Sequence, residues 1–414
     1  MRVLFVVLGV LALVALGWVL LRPTLGSDSP PEDVSYESPA PGREGLGPSR
    51  GIDPPVAAPP EIAAGAPPDE PMMAPPPFGE DETHRDVPIY FATNRAVSGR
   101  TEARDPTAQF LDQSGPLTWG TATVSIPRDH RMGHLESQSW LGSLFFEPNE
   151  EKHVILQEMT LRDREAVLAL IGGDLARDDS VLVYVHGFNT SLDLAARRAG
   201  QLTYDLAWQG PSLLFAWPSA GQAIEYFHDR TMADRSVPAL EQTFRALAEQ
   251  EPGRIIVIAH SMGTYITSTA LANMIRDGDP AVERIATVIL AAPDIDEVVF
   301  RDQIAPRFRQ VTRPRVTLYA SAEDTALKAS KAANGFRRIG DTTDGVTVIP
   351  GIDVIDATGV ISDFFGHTYF GDNATILTDI HDMVNGGLPI DARPHLAPMP
   401  PETVPPAWWR IVTD

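Results

Sequence analysis

Cysteine is absent from all 414 residues. That excludes disulfides, a thiolate nucleophile and Cys-based zinc sites, and it leaves the redox compartment unmarked. Cationic residues are scarce: 33 Lys and Arg stand against 55 Asp and Glu, a formal net charge of −22. A nucleic-acid partner needs a basic face to meet phosphates, so this balance argues against one, and the acidity reads as solubility. The chain also lacks a P-loop, a dinucleotide-binding glycine fingerprint and a His-Glu-x-x-His pattern, whose mechanics require those spacings. Neither a metal nor an organic cofactor is expected.

Apolar residues make up 43 % of the chain, enough for a sizeable core. One run stands apart. From Val3 to Leu21 there is no charged residue, with Arg2 before it and Arg22-Pro23 after it. As a helix it would be roughly 28 Å long, close to the thickness of a bilayer's hydrocarbon core. Residues 1–24 are therefore read as a transmembrane anchor, longer than the apolar region of an ordinary cleaved signal and without a clear small-x-small cleavage site. The charges flanking it give little orientation bias, but either route delivers the rest across the membrane. The body is expected to be extracytoplasmic (periplasmic in a Gram-negative cell), or secreted if the leader is cleaved. Residues 25–86 carry Pro30-Pro31, Pro54-Pro55, Pro59-Pro60 and Pro75-Pro76-Pro77 among Ala, Gly and acids. With little apolar surface to offset chain entropy, they read as a disordered, Pro-stiffened spacer.

Residues 87–388 read as the folded domain. Val87 to Thr93 and Thr118 to Ile126 are β-prone; after them short apolar strands alternate with amphipathic helices. Strands are expected at Ser180–Val185, Ser212–Trp217, Arg254–Ala259, Ala286–Ala291, Arg315–Tyr319 and Gly345–Ile349. Leu192, Ala195, Ala199, Leu202 and Leu206 recur at helical spacing. Further helices are expected at Pro238–Glu249, Thr264–Ile275 and Ala374–Val384. The result is an α/β fold, a mostly parallel sheet covered by helices on both faces. Residues 389–414 read as an irregular Pro-rich tail whose Trp408-Trp409 either folds back or lies exposed.

Ala259-His260-Ser261-Met262-Gly263 lies between a strand and a helix, the setting of a nucleophile elbow. So tight a turn requires small residues two before and two after the serine, and Ala259 and Gly263 are small. Trp217-Pro218-Ser219-Ala220-Gly221 has a similar outline, but Trp217 is too large for the first position, so Ser219 is not the nucleophile. Acyl transfer needs oxyanion donors as well. His186-Gly187-Phe188-Asn189 follows the strand Ser180–Val185, and the N–H groups of Phe188 and Met262 are the candidates. With such an elbow, chain order runs Ser, acid, His. Among the later histidines, His381 falls inside a helix and His395 in the tail; His367 follows the last strand and precedes the last helix, and is the expected base. Asp324, after the strand Arg315–Tyr319, is the expected acid, with Asp294 and Asp296 as rivals.

The ordered set Thr93-Asn94-Arg95, His186-Gly187-Phe188-Asn189, Trp217-Pro218-Ser219, His260-Ser261-Met262-Gly263, Ser321 to Leu327 and Gly366-His367 resembles a bacterial family of α/β-hydrolases of unknown function, over about Val87 to Asn385. The resemblance implies the α/β-hydrolase fold and the triad Ser261, Asp324 and His367, but no substrate. Tyr226 and Asp229 fit its pattern and are read as shaping the pocket wall, with core or surface packing as the alternative; His186, Gly187, Asn189, Trp217 and His260 are further pocket candidates. The expected activity is serine hydrolysis of a small-molecule or lipid ester, in the manner of a carboxylesterase or lipase. An acyltransferase using the same triad and a non-catalytic, membrane-tethered interaction module are the alternatives.

Overall fold

The computed structural model describes residues 77–99, 105–137, 149–222, 225–360, 373–401 and 405–412. The N-terminal apolar run, residues 25–76 of the spacer and His367 lie outside the described residues. Among the described residues, no helix is long and apolar enough to cross a membrane.

The strands are β1 (His84–Val97), β2 (Phe110–Pro127), β3 (Ile155–Arg162), β4 (Ser180–Val185), β5 (Ser212–Ala216), β6 (Arg254–His260), β7 (Ile285–Ala291), β8 (Arg315–Ala320), β9 (Asp353–Asp356), β10 (Leu396–Met399) and β11 (Trp408–Ile411). They form one sheet in the order β10-β11-β9-β8-β7-β6-β4-β5-β1-β2-β3. From β1 through β11 the neighbours are parallel; β2, β3 and β10 attach antiparallel at the two edges. The main helices are α1 (Arg164–Asp174), α2 (Leu192–Asp205), α3 (Tyr226–Ala248), α4 (Met262–Arg276), α5 (Thr325–Asn334) and α6 (Ala374–Val384).

The near-continuous apolar character of β4 and β6 follows from burial on both faces. Val181, Val183, Val185, Ile255, Val257 and Ala259 point into one core with α1, α3 and α4. Leu182, Tyr184, Ile256 and Ile258 point into the other with α2 and α6. Helix α2 begins at a Ser191 cap whose hydroxyl accepts the Leu194 N–H at 3.2 Å, and Leu192, Ala195, Ala199 and Leu202 are all buried.

Four expectations need correction. Gly345–Ile349 is not a strand; the strand there is β9, Asp353–Asp356, which pairs with β8. Helix α3 starts at Tyr226, twelve residues before the expected start, and Pro238 lies inside it. Proline fits a first turn well, but at an interior position it costs a hydrogen bond, and here packing of Met232, Ala233, Val237 and Leu240 sustains the helix. The Pro-rich tail is not wholly irregular: β11 inserts beside β9, and β10 forms the edge outside it. Pro398 is tolerated because an edge strand can forgo one ladder bond. At the other end, β1 begins at His84, within the stretch read as spacer.

Candidate active site

β5 lies on one side of β4 and β6 on the other. The helix that follows β4 packs on one face of the sheet and the helix that follows β6 on the opposite face. The carboxyl ends of β4 and β6 therefore flank a topological switch point, where open α/β sheets form a crevice. The His186–Thr190 loop and the turn at Ser261 meet there.

Ser261 joins β6 directly to α4 with φ 50° and ψ −122°. A positive φ is strained for a side chain with a Cβ, by about 1–3 kcal/mol, and persists where the surroundings enforce it. The enforcement is visible. The Ser261 N–H donates to the Ala291 carbonyl at 2.9 Å, and the Ser261 carbonyl accepts the Thr264 N–H at 3.0 Å and the Thr264 hydroxyl at 2.5 Å. Two residues on, a Cβ on Gly263 would lie 2.6 Å from the Val185 carbonyl oxygen and would also strike that of His186. Ala259, two residues before, is fully buried. Small residues are thus a steric demand on both sides of the serine.

The loop after β4 presses against this turn. A Cβ on Gly187 would stand 2.9 Å from Ser261 Cβ and 2.7 Å from His260 Nδ1, so glycine here lets the loop backbone reach the serine. Phe188 follows, and Asn189 takes a left-handed φ of 55°, which asparagine tolerates better than most residues. Among the described residues, the Phe188 and Met262 N–H groups have no acceptor. Two amides on the two chain segments that meet at the serine are thus available to a developing oxyanion.

His186 is fully buried and stacks on Trp217, with ring centroids 5.1 Å apart and 7° between planes. Its Nδ1 lies 2.9 Å from the Gly187 carbonyl and its Nε2 3.1 Å from the Trp217 carbonyl. The Trp217 indole N–H donates back to the His186 carbonyl at 2.7 Å. Burial first, and the Arg95 guanidinium second, hold the imidazole down to about 3, outweighing the two carbonyls. A neutral ring has one N–H, so it serves one carbonyl at a time. His186 and Trp217 therefore form a wall behind the loop rather than an exposed pocket surface.

Beneath them lies a buried polar frame that the residue patterns did not reveal. Asp229, completely buried, accepts from the Ser219 hydroxyl at 2.5 Å, the Ala220 N–H at 2.8 Å and the Asn189 N–H at 3.4 Å. Ser219 in turn accepts the Thr190 N–H at 3.2 Å, so its hydroxyl is a link between loops. Arg95 donates to the Ser219 carbonyl at 2.9 Å and pairs with Asp112; burial lowers it below the usual guanidinium range despite that partner. Thr93 donates to the Ala216 carbonyl at 2.5 Å, and Asn94 to Ser236 at 3.0 Å. Buried polar groups of this kind are affordable only when paired.

Asp324 follows β8 and is buried. It caps α5, one carboxylate oxygen accepting the Leu327 N–H at 2.9 Å, which fixes its orientation. The rivals are engaged elsewhere. Asp294 accepts from Arg338 at 3.1 Å, Ser330 at 2.6 Å and Tyr226 at 3.2 Å, and Asp296 caps the next helical turn through the Val299 N–H. Burial and the adjacent Asp294 raise the Tyr226 phenol.

His367 belongs to a stretch outside the described residues, but its roots are defined. The described residues that bound it meet at one place, where the Asn373 side chain donates to the Val360 carbonyl at 2.5 Å. That place adjoins the Asp324 loop: the Ala322 N–H donates to Thr358 at 2.9 Å and the Gly359 N–H to Glu323 at 3.1 Å. Both belong to the carboxyl edge of β8 and β9, the edge that carries Ser261. His381 lies on α6, which ends beside Leu206 at the far end of α2, toward the opposite edge. Among the described residues, no group of three or more His, Asp or Glu is arranged to hold a metal.

A family model described as alpha/beta hydrolase of unknown function (DUF900) matches residues 165–383, more than half of the chain. An uncharacterized protein of Nostoc sp. is 39 % identical over 62 residues, 15 % of this chain and 16 % of that protein. Among solved structures, Aspergillus fumigatus lipase B is similar at 11 % identity and a TM-score of 0.33, over 52 % of this chain and 53 % of the lipase. An esterase from the archaeon Pyrobaculum calidifontis is similar at 12 % identity and a TM-score of 0.33, over 65 % and 82 % of the two chains.

Proposed function

We propose that this chain, which belongs to the alpha/beta hydrolases of unknown function, is a serine hydrolase that cleaves carboxylic esters through an acyl-enzyme. Ser261 is the nucleophile. His367 takes its proton as the hydroxyl attacks the ester carbonyl, and Asp324 orients the imidazole and stabilises its charged form. The Phe188 and Met262 N–H groups receive the oxyanion. His367 then passes the proton to the leaving alkoxide and activates the water that releases the acid. This chemistry needs no cofactor.

The observation that carries the reading is the strained backbone at Ser261, φ 50°, with Gly187 and Gly263 packed where no Cβ fits. A serine that only capped a helix would need neither the strain nor the close approach. Esters are favoured over other acyl donors because this fold serves them widely. In the same proposal, residues 1–24 tether the enzyme to a membrane with its body on the extracytoplasmic side, where lipid or acylated envelope esters are at hand.

Labelling with a fluorophosphonate probe tests this directly. Wild type should become covalently labelled and Ser261→Ala should not, with His367→Ala labelling at least about 10²-fold more slowly, as general-base assistance is lost. An unlabelled wild type, or equal labelling of the Ser261 variant, refutes the assignment.

A further inference from the structure

The first turn of α3 carries two side chains three residues apart, Tyr226 and Asp229, which helical geometry places on one face. Both engage the loop that bears the proposed oxyanion donor, one at the Phe188 side chain and the other at the residues that follow it. The Tyr226 ring meets Phe188 edge to face, centroids 5.3 Å apart and 73° between planes. Asp229 holds the next residue through the Asn189 N–H at 3.4 Å, and reaches Thr190 through Ser219, with links of 2.5 and 3.2 Å. His228 adds a contact to the same carboxylate at 3.3 Å. Tyr226 is itself anchored from behind, donating to Asp294 at 3.2 Å and accepting from Asn334 at 2.9 Å. On the other side of Phe188, Gly187 lies against Ser261 Cβ.

We infer that Tyr226 and Asp229 are positioning residues, the first turn of α3 being the platform that sets the Phe188 N–H relative to Ser261. They act through the loop and not on the substrate. Asp229 is completely buried and all its described contacts are to protein donors, so it lines no pocket. The inference rests on the serine-hydrolase reading, and it gives Tyr226 a role other than the pocket wall expected of it: support of the oxyanion loop.

The test uses the full chain, a chromogenic short-chain ester and a trifluoromethyl ketone, whose serine-bound hemiketal presents the tetrahedral oxyanion. Full loss of one oxyanion donor costs about 10²–10³ in rate, so a displaced donor should cost about 10–100-fold. Asp229→Asn and Ser219→Ala should lower kcat by that factor with KM changed less than about threefold, and weaken the ketone in proportion, since only the transition state uses the donor. Tyr226→Ala should behave alike, while Tyr226→Phe, which keeps the ring against Phe188, should retain most activity. Folding is checked by circular dichroism; Ser219→Ala, a small change, secures the result if Asp229→Asn does not fold. The inference is overturned if folded Asp229→Asn or Ser219→Ala keeps wild-type kcat and ketone affinity, or if KM alone rises. A wild type that turns over no ester and takes no fluorophosphonate removes the underlying reading instead, which separates the two failures.

Discussion

Acidification should destabilise this protein through one residue, His186. Its imidazole is sealed between Trp217 and the backbone, and burial together with Arg95 holds it down to about 3. In the unfolded chain a histidine titrates near 6.5. A base whose folded value is depressed leaves the unfolded state binding more protons below 6.5, so stability falls as pH drops from 6.5 toward 3. From pH 7 to pH 5 the loss is about one and a half pH units' worth, or about 2 kcal/mol, a large part of a typical domain's margin. The assay is urea unfolding at pH 7, 6 and 5 for wild type and His186→Gln, comparing slopes rather than absolute stabilities. Other titrating groups contribute equally to both proteins and cancel in the difference. The variant should be less stable at pH 7 yet lose about 2 kcal/mol less on going to pH 5. Equal slopes would refute the claim that this ring stays neutral in the folded state.

Three further outcomes are expected. His130 lies 2.7 Å from both Asp205 and Glu136 and, despite burial, is raised to about 9; its stabilisation, about 3 kcal/mol, is present below pH 6.5 and lost as pH rises through about 9, so alkaline unfolding curves of wild type should show a decline that His130→Gln lacks. Gly263→Ala places a methyl against two backbone carbonyls, which cannot yield as a side chain can; overpacking of this kind costs about 1–3 kcal/mol or more, and the midpoint of thermal unfolding should drop while Ala259→Gly has a smaller effect. Asp294→Ala strands the buried Arg338 guanidinium and should cost about 3–5 kcal/mol, read by denaturant midpoint; restoration of stability by adding Arg338→Met to the same chain would identify the uncompensated charge as the cause.

Much of the architecture could be read from the residues because the central strands are apolar on both faces. Ser180–Val185 and Arg254–Ala259 are near-continuous hydrophobic runs, and the helix after the first carries a clear apolar stripe. The elbow was legible for the same reason: Ala259, Ser261 and Gly263 sit between a strand and a helix whose identities were plain. Elsewhere the local signal misled. Gly345–Ile349 alternates as a strand would, whereas β9 is four residues bounded by Asp353 and Asp356, whose carboxylates disguise its buried interior. The first half of α3 is polar and its Pro238 resembles a start, so its onset at Tyr226 depended on tertiary packing. The polar frame was illegible in principle. Nothing in the sequence around Asp229 announces that its carboxylate is dry, because its partners Asn189 and Ser219 arrive from two other segments.

The placement of β11 between β9 and β10 has a bearing on how the polypeptide tolerates damage. A nick in residues 400–407 followed by loss of Trp408–Ile411 would deprive β10 of its ladder neighbour and strip β9 bare along one side. An exposed parallel edge of that kind is a template on which another copy can pair. The strand so uncovered is β9, so proteolytic trimming at this far corner would turn an interior strand of the sheet into a pairing site for a second copy.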